Sequence, residues 1–265
     1  MKIGILTQPL KANYGCVLQA YALQTVLIRM GHHVEVIRRD YTKPSLKIRA
    51  KRVLRFIHTL FLKSVFNKKY LVLSNPFKID YTYLPKSRVY DFVDSYINQG
   101  LRIHTSEALK SYCIEQGFDA YIVGSDQVWR PCYSPCITNY FLDFIPTDYP
   151  VKRIAYAASF GSADWEYTYS QSEECAKLVK CFDAIGVREK SGIKLCLDKL
   201  GVDATHVLDP TMLLDVADYD SLIGDSNVIP KMTKYIACYI LDENTDKREL
   251  IEVVSSELDA QPYYL

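Results

Sequence analysis

Nowhere in this 265-residue chain do apolar residues run unbroken for the roughly 18 positions that a membrane-crossing helix needs. The opening MKIGILTQPLKANYG offers only a short strand-like run where a secretory leader needs a longer apolar core, so a cytoplasmic location is expected. No GxGxxG fingerprint follows that first run, which argues against a dinucleotide; no cofactor is expected. Internal repeats and low-complexity stretches are also missing. So are the stacking aromatics and motifs of nucleic-acid readers, and no nucleic-acid partner is expected. Cys132 and Cys136 in CYSPC have the spacing of half a zinc site, but no second Cys/His pair accompanies them and no metal is expected. The other cysteines are scattered through apparent strands and helices of a chain too large to need stapling, which points to reduced thiols.

Acidic residues are absent from Tyr41 to Ile79, where Lys43, Lys47, Arg49, Lys51, Arg52, Arg55, Lys63, Lys68, Lys69 and Lys78 are all basic. The net charge of +1 therefore conceals an acidic remainder. Leu46, Val53, Leu54, Ile57 and Leu60 lie among these charges at roughly helical spacing, which predicts a basic amphipathic helix within 43–79. It is either a solvated helix packed on the core or an interfacial helix drawn to anionic lipid at the inner membrane or to a polyanionic glycan carrier.

What the chain does have is a globular composition, 49% hydrophobic and 24% charged, enough for a sizeable core. A β-branched run at Lys2–Thr7, a helical stretch from Leu18 to Met30 closed by Gly31, and the alternating HVEVI of His33–Ile37 make a βαβ unit and imply a parallel sheet. Further strands are predicted at Asp119–Val123, Arg153–Ala158, Asp183–Val187 and Thr205–Leu208. Helices are predicted at Arg88–Asn98, Ser106–Gln116, Glu173–Cys181 and Ser191–Leu200. The fold class is α/β, a Rossmann-like parallel sheet with flanking helices over 1–215. Residues 216–233 read as a linker, and 234–265 as the start of a second α/β lobe or a helix packing back on the first. The last residues, QPYYL, fit a cut chain or a homo-oligomer contact.

The predicted strands end in polar, glycine- or proline-marked loops: GSDQVW, SFGS, REKSG and DPT. In an open parallel sheet the carboxyl edge holds ligands, so these loops converge on one crevice. The ordered motifs ILTQPLKANYGCVLQAYALQ, VGSDQVW, YAASFG, VREKSG and VLDPT resemble the polysaccharide pyruvyl transferase family over about residues 1–245. That resemblance implies a bacterial enzyme with a two-lobed, GT-B-like fold, phosphoenolpyruvate as donor and a glycan as acceptor, joined as a pyruvate ketal. The readings that compete with it are a GT-B glycosyltransferase using a nucleotide-sugar and a non-catalytic glycan-binding module.

Ketal formation needs an acid, a base and cations for two anionic groups. Arg188, at a strand's carboxyl end, is the leading cation, since a guanidinium grips carboxylate or phosphate bidentately; the alternative is a pairing with Glu189. Lys190 is a second cation, and Glu189 and Ser191 read as caps of the following helix. Asp126 either deprotonates an acceptor hydroxyl or caps a helix. Gly124 and Ser125 allow backbone amides to approach a ligand, and Ser159 and Gly161 line the next loop. Asn13, Tyr14 and Gly15 occupy the first strand-to-helix turn, where amides favour an anion or sugar hydroxyls. Trp129 stacks on a sugar or packs in the core. Asp209 and Pro210 read as a structural turn. By the resemblance, a catalytic histidine and another donor-binding arginine come from a second lobe beyond Leu265; His206 reads as a packed core histidine.

Overall fold

A computed structural model describes residues 1–10, 13–41, 54, 56, 88–223, 234–240 and 244–264. The basic segment at 43–79 lies outside the described residues except for 54 and 56. The chain divides into two compact units, Met1–Asp215 and Val216–Leu265.

In the first unit the strands are β1 (Lys2–Leu6), β2 (His33–Arg39), β3 (Gln99–Ile103), β4 (Ala120–Val123), β5 (Lys152–Ala158), β6 (Ala184–Val187) and β7 (Thr205–His206). Among the described residues they form one sheet in the order β3-β2-β1-β4-β5-β6-β7, with every neighbouring pair parallel. The expected Rossmann-like α/β architecture is therefore present. The order reverses between β1 and β4, and it is at such a switch point that an open sheet leaves a crevice beyond its carboxyl ends.

Side-chain alternation explains the layering. Ile3 and Ile5 of β1, Val34 and Val36 of β2, and Ala120 and Ile122 of β4 face one core with Val17, Leu23, Val89 and Val93. Those last four belong to α1 (Tyr14–Arg29) and α2 (Arg88–Tyr96). Leu6, Ile37, Tyr121 and Val123 point the other way, into a second core with Leu109, Cys175 and Trp129. That face is covered by α3 (Ser106–Gln116) and α4 (Tyr169–Leu178). With both faces covered, inner strands such as AYIV are buried at every position, as parallel sheets require.

Several boundaries differ from the sequence expectation for identifiable reasons. Helix α1 starts four residues earlier than the apolar period suggested, because Asn13 Oδ1 accepts from the Cys16 amide at 3.1 Å and caps it there. Strand β3 was not anticipated: QGLRI lies at the sheet's edge with only Ile103 buried, so it lacks an apolar run. The helix expected at Ser191–Leu200 is α5 (Lys190–Leu195), continued by a π-turn to Leu200.

The second unit opens with α6 (Val216–Ile223), in a stretch that read as linker. Strands β8 (Tyr235–Cys238) and β9 (Gln261–Tyr264) pair in parallel and are joined through α7 (Thr245–Leu258), so this unit carries its own βαβ. No helix among the described residues is long and apolar enough to cross a membrane.

Candidate active site

The carboxyl ends of β4, β5, β6 and β7 meet around Arg188. Its Nη1 donates to Asp209 Oδ2 at 3.1 Å and its Nε to Glu189 Oε1 at 2.9 Å, so two carboxylates hold one guanidinium. The backbone is fixed as well: the Arg188 amide donates to the Ala158 carbonyl at 3.1 Å, and its own carbonyl accepts from His206 Nε2 at 3.0 Å. A carbonyl only accepts, so this contact places a proton on Nε2 of His206. His206 is exposed at the end of edge strand β7, not packed in the core as its place in a predicted strand implied.

Hydrogen bonds continue outward from this centre in both directions. On one side Ser125 Oγ donates to Asp209 Oδ2 at 3.1 Å, the Ser125 amide donates to Gln19 Oε1 at 3.0 Å, and Gln19 Nε2 donates to Thr7 Oγ1 at 2.9 Å. On the other, Ser159 Oγ donates to Glu189 Oε1 at 2.8 Å and accepts from the Gly161 amide at 3.0 Å. One continuous polar chain thus ties the β1 loop and α1 to the loops after β4, β5, β6 and β7.

Burial and charge tune these groups in opposite senses. Burial alone would lower the pKa of Arg188, but Glu189, Asp209 and the nearby charge of Asp126 outweigh it and keep the guanidinium firmly protonated. For Asp209, burial pushes the pKa up, yet hydrogen bonds from Thr211 and the Arg188 cation win and hold its carboxyl below the usual range. Asp126, Glu189 and Asp209 thus all lie close enough to Arg188 to act on its charge.

A sequence model of the polysaccharide pyruvyl transferases matches residues 13–263. The chain belongs to this family. No curated protein matches it significantly. Family membership makes the chain a transferase that moves a pyruvyl group to a glycan acceptor, and it is the pyruvyl transferase's carboxyl edge that gathers the motif residues.

Within this pyruvyl transferase the residues singled out from sequence fall into three layers. Arg188, Glu189, Asp126 and Asp209 are half-buried at the edge itself. Gly124, Ser125 and Ser159 lie beneath it, the two serines with no exposed surface, and shape the edge without lining it. Asn13, Tyr14, Gly15, Gly161 and Lys190 are exposed on the rim. Asn13 is the α1 cap, while Tyr14 and Gly15 belong to the first turn of the helix rather than to the loop before it. Tyr14 is 71% exposed, and among the described residues only Asn13 Oδ1, at 3.5 Å, would touch a Cβ at Gly15.

Several residues adopt left-handed backbone here. Asp126 has φ 74° in a turn whose carbonyl accepts from the Val128 and Ser159 amides, and its Oδ1 accepts from the Gln127 amide at 2.8 Å. No helix begins after it, so the capping alternative for Asp126 falls away. Gly124 has φ 127°, and a Cβ there would sit 2.0 Å from the Tyr156 carbonyl oxygen, a contact no side chain can make. Gly161 is similarly tight, its Cβ position 2.1 Å from Gln127 Oε1. Trp129 is fully buried and donates to the Tyr140 carbonyl at 3.0 Å, which settles its role as packing.

Of two residues read as local structure, one caps nothing and the other does more than shape its turn. Glu189 precedes α5 without making a capping bond and spends its carboxylate on Ser159 and Arg188. Asp209 does cap a 3₁₀ turn through Oδ1, accepting from the Thr211 amide at 3.0 Å, but its Oδ2 reaches Arg188 and Ser125. The signal that could have found both was their place: each follows a strand at the carboxyl edge, the same argument that picked Arg188.

Proposed function

We propose that this transferase takes phosphoenolpyruvate at the carboxyl edge and places its pyruvyl group, as a ketal, on a sugar of a surface polysaccharide or lipid-linked glycan. The observation that carries the reading is Arg188, a permanently charged fork fixed at backbone and side chain where four strand ends meet. Such a fork suits the carboxylate or phosphate of a small dianionic donor, and Lys190 on the rim adds a second cation.

The chemistry uses the other groups. Protonation of the donor's methylene carbon makes C2 electrophilic; one sugar hydroxyl adds to C2 and gives up its proton. The C–O bond to phosphate then breaks and a neighbouring hydroxyl closes the ketal, again releasing a proton. Asp126, half-buried on the strained turn beside Arg188, is the base assigned to a hydroxyl proton. Arg188 offsets charge on the departing phosphate. Tyr14 and Gly15, at the start of α1, lie where a sugar ring is received.

Incubation of the protein with carbon-13-labelled phosphoenolpyruvate and candidate glycans, followed by NMR, tests the reading. A ketal carbon signal appearing in step with released phosphate is the expected result. Turnover of a nucleotide-sugar under the same conditions, with phosphoenolpyruvate inert, would favour a glycosyltransferase instead.

A further inference from the structure

Asp209 is the residue on which the two halves of the polar chain meet. Its carboxylate divides its work: Oδ1 accepts from the Thr211 amide at 3.0 Å and Thr211 Oγ1 at 2.9 Å, while Oδ2 accepts from Ser125 Oγ and Arg188 Nη1, each at 3.1 Å. Capping a 3₁₀ turn needs only the first oxygen, and Pro210 already favours that turn. The second oxygen sits 84 residues from one partner and 21 from the other, and joins the β4 loop to the β6 loop through an arginine.

A guanidinium on a flexible stem loses rotamer freedom when it is fixed, and a carboxylate on each side makes it hold one plane. Glu189 alone would hold the guanidinium at Nε only, leaving its plane free to tilt about that one hydrogen bond and its Nη groups free to exchange by flipping. We propose that Asp209 is a positioning residue: it locks the plane of the Arg188 guanidinium so that its remaining N–H groups face the crevice in one orientation. The purpose of this lock, though not its existence, rests on the donor reading given above. Ser125 Oγ shares its single hydrogen between Asp209 Oδ2 and the Ala157 carbonyl, both at 3.1 Å, and so ties the lock to the strained turn after β4.

The test uses the full chain and three substitutions. Asp209→Asn keeps an oxygen for the Thr211 cap but removes the charge facing Arg188; Asp209→Ser, which keeps a capping hydroxyl, replaces it if the asparagine form does not fold. Arg188→Lys identifies the Arg188 side-chain signals in nitrogen-15 NMR spectra by their loss. In the wild type we expect separate, slowly rotating Nη signals for Arg188, and in the Asp209 variant signals averaged by rotation. Unchanged Arg188 signals in the Asp209 variant overturn the proposal.

Calorimetric titration with phosphoenolpyruvate then reads the consequence. Asp209→Asn should weaken binding by about tenfold in the wild type but by less than about twofold when Arg188 is already lysine, since coupled residues are not additive. An equal loss in both backgrounds marks a merely structural role and also overturns the proposal. Release of Arg188 in the NMR experiment, in a protein whose wild type binds no phosphoenolpyruvate, retains the lock and overturns the donor reading instead.

Discussion

The two edges of the same sheet are built differently. At the amino edge a polar chain also links β1, β4, β5 and β6: the Lys2 amide donates to Asp119 Oδ2 at 2.7 Å, the Lys152 amide to the Asp119 carbonyl at 3.1 Å, and Lys152 Nζ and the Arg153 amide to Asp183, each at 2.9 Å. The buried guanidinium there, Arg153, donates to backbone carbonyls, whereas Arg188 at the other edge is held by two carboxylates. The glycines there with positive φ, Gly31 at 85°, Gly117 at 57° and Gly201 at 68°, follow helix ends in open space. At the carboxyl edge one chain of hydrogen bonds joins five loops, and Asp126 and Ala157, neither of them glycine, hold φ 74° and 49°. Strained backbone of this kind persists where surrounding contacts over-determine it, which is the usual mark of a working site. A cavity of about 240 Å³ does lie at the amino edge, lined by Lys2, His33, Glu35 and others. Convergence of charged groups from several strand ends is what supports the proposal of a donor site at the carboxyl edge.

This contrast can be broken most sharply at Arg188. Its replacement by alanine should lower pyruvyl transfer, followed as phosphate release, by about 10²–10³-fold, the range for loss of one preorganised charge-stabilising donor. Arg188→Lys should recover little of it, because a point charge cannot reproduce the fork. Equal activity of either variant and the wild type would remove the carboxyl edge from the reaction.

Glycine substitutions compare the edges through stability. Gly124→Ala forces a Cβ to within 2.0 Å of a carbonyl oxygen and should cost about 3 kcal/mol or more in urea unfolding. Gly117→Ala meets nothing within 4 Å and should cost about 1–2 kcal/mol from its left-handed backbone alone. If the two cost the same, the carboxyl edge is no tighter than an ordinary helix end.

Acid sets a third comparison. The pKa of Asp209 is lower in the folded than in the unfolded chain, so its contribution is fully present above its unfolded value of about 3.9 and is lost as pH falls through its folded value. The stability advantage of wild type over Asp209→Asn should therefore be constant near neutrality and shrink below about pH 4. An advantage that instead shrinks above pH 7 would contradict the assignment of a depressed pKa. The smallest effect belongs to the amino edge: Lys152→Ala removes an exposed ion pair and should change unfolding free energy by at most about 1 kcal/mol and leave transfer unchanged.

The sequence reading succeeded where local pattern decides structure. Strand β4 was legible as AYIV because a fully buried parallel strand is apolar throughout, and the start of α3 because Thr105 can cap it. Edge strand β3, half exposed and carrying Gly100 and Arg102, gives no such pattern. Strand β9 begins Gln-Pro and exposes all four residues, so it too was missed. At the carboxyl edge, Arg188 and Asp126 could be placed because strand ends can be located from sequence. The partnership of Asp209 with Ser125 could not, since spacing along the chain is silent on contacts between residues so far apart. Spacing also favoured the local cap over the long-range bond for Glu189, where burial of Ser159 against it decided otherwise.

The central claim, that the polar carboxyl edge is where this pyruvyl transferase holds an anionic donor, is tested most directly by a thermal-shift titration with phosphoenolpyruvate. A ligand that binds only the folded state raises its apparent stability, by about 2.7 kcal/mol at a hundredfold excess over Kd. The account predicts a concentration-dependent rise in the wild type that is lost in Arg188→Ala and kept in Lys152→Ala. An equal rise in the wild type and in Arg188→Ala would contradict it.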